Sequence, residues 1–211
     1  MFRERNPGRA PAQTLPRLDP RRRLLEAMVH TVAVRGYERT TISYVVCVAE
    51  LDEAVFSEHF HDKCDCLLQA LEQPIARVEQ ATLELLELDA PWGERVRLGL
   101  ERLLAALAAD PALARVLLVE MLGAGREAYE RRRVALAPLI SLMEQGRAGN
   151  PGAAYLPVQT SEAIVGGVIS ILHRRALQRR TDELPALCAD LTYFALLPYL
   201  DHERALIFAN R

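Results

Sequence analysis

The sequence predicts an all-α protein, with an N-terminal three-helix unit of helix-turn-helix type followed by a larger helical domain, about nine helices in all. Three observations carry this. Residues able to cap a helix recur three times between Arg35 and Leu68, in RGYERTTISYVVCVAELDEAVFSEHFHDKCDCLL. Beyond Leu68 the apolar residues keep helical spacing, with prolines at element boundaries and no alternating pattern. A chain of 211 residues, 50% hydrophobic and 6% aromatic, can also bury a sizeable core.

Thr40 or Thr41 caps a helix whose Ile42, Val45, Val46 and Ala49 share one face. After a break at Glu50 and Leu51, Asp52 caps a compact helix carrying Phe56 and Phe60, which four-residue spacing makes core anchors. Asp62 caps a long helix to about Glu87, bent near Pro74 because proline removes a backbone hydrogen bond. Pro91 and Trp92 open a fifth helix, and Asp110-Pro111 opens a sixth. Gly123 and Gly125 break the chain before a seventh, which runs past Pro138 to about Gln145. Residues 147–159 read as a loop. Thr160 or Ser161 then caps an apolar helix, and Thr181 or Asp182 caps a last one with Leu184, Leu187, Leu191, Phe194 and Leu197. The resulting divisions are a flexible basic arm over 1–19, the helix-turn-helix over 20–68, a helical domain over 69–200 and a tail over 201–211.

Charge is unevenly spread. Residues 1–35 hold eight arginines against three acids, a net +5, whereas residues 36–75 carry a net −6. Only one of the 26 basic residues is a lysine, Lys63. Residues 1–23 are rich in Arg and Pro and lack an apolar run, so no secretory leader is expected. Charges interrupt every leucine-rich stretch, so no membrane span is expected, and a cytoplasmic location follows.

The cluster HFHDKCDC holds His59, His61, Cys64 and Cys66. Two helical positions point about 200° apart, which separates Cys64 from Cys66 and argues against a metal site. Cys64 near a helix N-terminus is a candidate for a lowered pKa and redox sensitivity. No nucleophile–base arrangement or phosphate-binding glycine loop supports an enzyme.

The segment resembles the DNA-binding half of TetR-type transcriptional regulators (the TetR/AcrR-like family). The resemblance lies in Gly36-Tyr37 ending the first helix, Thr40-Thr41 opening the second, and Phe56, His59, Phe60 and Lys63 around the third. It implies a ligand-responsive homodimer, typically a repressor, that binds double-stranded operator DNA and a small-molecule effector without a cofactor. Expected DNA contacts are Arg17, Arg21, Arg22, Arg23, Thr41, Ser43, Tyr44, Glu53, Ala54, Val55, Ser57, His59 and Lys63. Lys63 stands where the family places a phosphate contact at a helix start.

Three departures bear on this. Glu50 replaces the turn glycine, with a steric cost if the backbone needs positive φ. Ser57 replaces a phosphate-binding tyrosine. The recognition helix carries Asp52, Glu53 and Glu58 with no Lys or Arg. Glu53 can accept from cytosine N4, but acids there equally repel phosphates.

For the second domain the resemblance implies a ligand cavity, with Glu120, Met121, Tyr129, Met143, His173, Tyr193 and Phe194 as candidates. Glu120 either receives a cationic ligand or faces solvent. Ile164, Val168, Ile171, Leu187, Leu191 and Phe194 are candidates for a dimer interface. Two other functions stay open: a TetR-like protein with a degenerate reader that acts through dimerisation or protein contacts, and a thiol or metal sensor.

Overall fold

The computed structural model describes residues 19–211, so Arg17 and all of the basic arm but Asp19 lie outside the described residues. The described chain forms α1 (Pro20–Arg35), α2 (Ile42–Ala49), α3 (Glu53–His59), α4 (Lys63–Glu87) and α5 (Trp92–Ala109). It continues through α6 (Pro111–Leu118), α7 (Arg126–Gly149), α8 (Thr160–Leu177), α9 (Cys188–Leu196) and α10 (His202–Ala209). Short 3₁₀ turns occupy Glu120–Gly123, Pro151–Ala153 and Thr181–Leu187. No helix among the described residues is long and apolar enough to cross a membrane.

Helices α2, α3 and α4 begin at the capping residues that the sequence marks. Thr41 is the α2 cap and accepts from the Tyr44 amide at 3.3 Å, while Thr40 is buried and donates to the Gly36 carbonyl at 2.8 Å. Asp62 caps α4 through the Asp65 amide at 2.9 Å. Asp52 holds the N-cap position of α3 but makes no side-chain cap bond. Phe56 and Phe60 are both buried, with ring centroids 5.4 Å apart.

The α2–α3 turn keeps its geometry without glycine. Glu50 is left-handed at φ 52, ψ 48, the Leu51 amide donates to Val46 at 2.9 Å, and the Glu50 amide donates to Cys47 at 3.1 Å. This is a Schellman cap with Glu in the position glycine usually takes, and a left-handed L-residue costs about 1–2 kcal/mol. Arg23 of α1 braces it, donating to the Glu50 carbonyl at 3.3 Å and pairing with its carboxylate at 3.5 Å.

Two apolar cores organise the chain. The first joins α1, α2, α3 and the start of α4 through Leu24, Met28, Val45, Phe56 and Leu67, but also takes in Val116, Met121, Ala124 and Ala128. The helix-turn-helix unit therefore closes its core on α6 and α7. The second core holds α5, α8, α9 and α10 together around Leu104, Leu172, Leu184 and Leu196.

The C-terminal third departs most from expectation. Residues 201–211 are not a tail: Asp201 accepts from the Arg204 amide at 2.8 Å, Ala205 and Ala209 are buried, and the Phe208 ring lies on Gly93. A Cβ at Gly93 would sit 2.5 Å from that ring, so the close approach needs glycine. Thr181–Leu187 is a 3₁₀ turn rather than the start of α9, since Pro185 supplies no amide to an α-helical ladder. Neither Thr160 nor Ser161 caps α8; Ser161 is fully buried and hydrogen-bonded to the Tyr199 hydroxyl at 2.7 Å. The 147–159 loop is shortened by α7, which reaches Gly149, and is held by Arg147 donating to the Pro157 carbonyl at 2.7 Å.

Candidate nucleic-acid interface and effector cavity

Thr41, Ser43 and Tyr44 on α2, with Glu53, Ala54 and Ser57 on α3, are exposed, while Val55 packs half-buried against the core. The Ser43 hydroxyl donates to the Glu53 carboxylate, joining the two helices. The Ser57 hydroxyl donates back to the Glu53 carbonyl at 3.1 Å. His59 is half-buried against Phe60, with ring centroids 6.2 Å apart.

The cations are more committed than the sequence suggests. Lys63 donates to the Tyr37 carbonyl at 3.0 Å and lies 4.2 Å from the Tyr37 ring centroid. An ammonium has three donors, so this contact leaves two. Arg21, Arg22 and Arg23 stand in the first turn of α1. Arg21 donates to Gln69 and stacks over Phe60, Arg22 pairs with Glu26 at 2.9 Å, and Arg23 braces Glu50. Arg21 and Arg22 face a hollow shared with α4 and α6, which turns them toward the second domain. One cation was missed. Arg35 lies 3.7 Å over the exposed Tyr44 ring, beside Ser43 and Thr41. Its signal was the last-turn position of α1, which helical periodicity brings onto α2.

Cys64 corrects the redox expectation. Its thiol donates to the Ala124 carbonyl at 3.5 Å, and burial pushes its pKa up rather than down. Cys66 is fully buried and pushed up to about 12, also by burial. Burial likewise raises the neighbouring Tyr37 phenol to about 12. Among the described residues, no three His, Cys, Asp or Glu side chains gather as a metal site would require.

Glu120 is mostly buried and paired within the fold. One carboxylate oxygen accepts from the Tyr37 amide at 3.0 Å, and the other pairs with Arg115 of α6 at 2.9 Å. Gly36, at φ 84, leaves room for it: a Cβ there would lie 3.2 Å from the carboxylate. The Gly36-Tyr37 junction is thus held from two sides, by Glu120 through the amide and by Lys63 through the carbonyl.

The other ligand candidates are scattered. Met121 is buried in the first core and Met143 in the second, and Tyr129 is exposed. His173 Nδ1 meets the Leu118 carbonyl at 2.7 Å, and the Tyr193 hydroxyl meets His202 at 2.8 Å. Phe194 lies exposed over Gly167. A cavity of about 480 Å³ lies between α4, α5, α6 and α7, walled by Val78, Leu85, Leu103, Leu107 and Leu117, and none of these candidates lines it. Val78 and these leucines read as core, and only the gap left between helices distinguishes a lining residue from a packed one.

Ile164, Val168 and Leu191 also turn inward, buried in the second core, while Ile171 and Leu187 are half-buried. The outward face of α8 carries Glu162, Ala163, Gly166, Ser170, Arg174 and Leu177, beside exposed Phe194 and Leu197 of the α9 end.

No protein-family model matches this sequence. No curated protein matches it either. Solved structures do. The fatty acid degradation regulator FadR from Bacillus halodurans superposes with a TM-score of 0.72 at 18% identity, over 83% of this chain and 97% of that one. FadR from Bacillus subtilis, solved in complex with stearoyl-CoA, gives 0.72 at 18% identity over 84% and 98%. A TetR family regulator from Marinobacter aquaeolei VT8 gives 0.59 at 21% identity over 82% and 94%. At these identities the likeness establishes the fold: the chain is built as these regulators are, with an N-terminal helix-turn-helix unit set on a larger helical domain.

Proposed function

We propose that the chain is a DNA-binding transcriptional regulator of the TetR type, a ligand-responsive homodimer that acts as a repressor in the cytoplasm. Residues 20–68 serve as reader, and residues 69–200 bind the effector and pair the protomers. The observation that carries this is the preserved α2–α3 geometry despite Glu50, joined to the fold shared with FadR and the Marinobacter regulator. Thr41, Ser43, Tyr44, Arg35, Glu53, Ala54 and Ser57 form the surface offered to DNA, and Lys63 and His59 flank it. The outer face of α8 and the end of α9, where small Ala163 and Gly166 and exposed Phe194 and Leu197 lie beside Arg174, supports two-fold pairing, which would present two readers to two half-sites.

Signal transfer follows from the α6 contacts. Leu113, Ala114 and Leu117 wall the cavity, and Arg115 on the same short helix holds Glu120, which holds Tyr37 of the reader. A ligand that shifts α6 would shift the α1–α2 junction.

A second reading is favoured by one observation: the exposed side of α3 presents Glu53 and Glu58 and no cation. On that reading the reader is degenerate and the dimer works through protein contacts. Selection from fragmented genomic DNA with the purified full chain separates the two. A regulator enriches discrete sites containing an inverted repeat, whereas a degenerate reader enriches none above random sequence.

A further inference from the structure

The apolar cavity lies between two neighbouring spaces with which it shares wall residues. It shares Pro74, Arg77, Asp110 and Leu113 with a wider hollow of about 780 Å³ against α1. At its other end it shares Gly99, Leu103 and Leu139 with a small apolar pocket of about 50 Å³ that reaches α8. Polarity changes along this line. The inner end is walled by Val96, Val165 and Ile169, whereas the outer hollow includes Arg21, Glu26, Glu72 and Gln73.

The junction carries the chemical information. Arg77 lies on both the middle cavity and the outer hollow, and Arg102 is at the rim of the middle cavity; both are exposed. Among the described residues, no carboxylate lies within ion-pair distance of either. Asp110, the one acid among the described residues lining the middle cavity, spends an oxygen capping α6 through the Leu113 amide at 2.9 Å. Pro74 lies at the same junction and has no amide to donate to the Ala70 carbonyl, so the helix wall there is polar as well. Unpaired guanidiniums beside an apolar cavity select a ligand that joins an anion to a hydrocarbon.

Resting on the reading of this cavity as the effector site, we propose that its ligand is an amphipath with a long apolar chain and an anionic head. The chain fills the middle cavity toward α8, and the head meets Arg77. The outer hollow then takes any polar bulk beyond the head, against Leu25 and Val29 of α1. A head placed there touches the reader directly.

Calorimetric titration of the full chain without DNA tests this, using laurate, lauroyl-CoA and methyl laurate below their aggregation concentrations. One equivalent of laurate or lauroyl-CoA binds, and methyl laurate binds at least about tenfold more weakly. Equal binding of laurate and lauroyl-CoA assigns the head to a simple carboxylate; binding of lauroyl-CoA alone assigns it to a phosphate-bearing group in the outer hollow. Arg77→Ala with Arg102→Ala brings the anionic ligands down to the level of the ester, while the unliganded variant keeps its thermal unfolding. Methyl laurate binding as tightly as laurate, or no binding by any of the three, overturns the proposal. Since DNA is absent, neither result bears on the reader, and loss of DNA binding in a separate assay would leave this result standing.

Discussion

Glu120 shows how far a single residue can lie from its sequence reading. In VLLVEMLG it reads as an isolated acid at a helix edge, yet its partners Arg115 and the Tyr37 amide are respectively five and 83 positions away. The side chains of Glu120 and Arg115 are only 12% and 24% exposed, so the pair is screened less than a surface bridge. Glu120→Ala should lower stability by about 1.5–3 kcal/mol, the range for hydrogen bonds to a charged group, measured by urea unfolding. A change below about 0.5 kcal/mol would show that the contact carries no weight. The cysteines give a second test at this scale. Cys47 is exposed, Cys64 is half-buried with its pKa raised, and Cys66 is fully buried. Alkylation at neutral pH should therefore modify Cys47 first and Cys66 only at the rate of unfolding, read by mass spectrometry. Rapid modification of Cys64 would restore the redox-sensor reading. Metal-like spacing in HFHDKCDC was visible in the sequence, but the burial that decides thiol chemistry depends on Ala124, 60 residues away.

Among the elements, the helix-turn-helix was legible because its signals are local. Thr41, Asp62 and the Phe56/Phe60 spacing act within a few residues of where they stand. Glu50 was readable as a cost but not its brace, since Arg23 reaches it from α1. Glu50→Gly should raise stability by roughly 0.5–1 kcal/mol, the left-handed penalty offset by glycine's added unfolded-state entropy and the lost exposed ion pair. A loss of stability would mean the Arg23 brace outweighs the backbone strain. The C-terminal helices were less legible, because α10 is short and its docking partner Gly93 lies on α5. Of the expected interface residues, Ile164, Val168 and Leu191 are buried within the chain while Phe194 is exposed, because an apolar helix offers no polar side by which sequence could tell inward from outward. Gly166 provides a clean test of pairing, being exposed with open space where a Cβ would stand. Gly166→Glu should keep the helical spectrum and thermal midpoint yet shift the chain to monomer in sedimentation. An unchanged dimer would place the interface elsewhere.

At the scale of the whole molecule, the reader and the cavity are joined by α6 and by a core that crosses between them. Charge balance sets the demand on DNA binding. Arg21 and Arg23 are tied to Gln69 and Glu50, and α3 presents acids, so few described cations remain for phosphate: Arg35, Arg39 and part of Lys63. On the proposed function, the described residues would therefore neutralise few phosphates, and specificity would have to come from α2 and α3 contacts with base edges. The most direct test is the affinity of the full chain for its selected genomic site and for random duplex, each followed across salt concentration. The selected site should bind at least about 10³-fold more tightly than random duplex at physiological salt, with affinity falling as salt rises. Equal affinity for the two duplexes at every salt concentration would contradict a sequence-reading regulator.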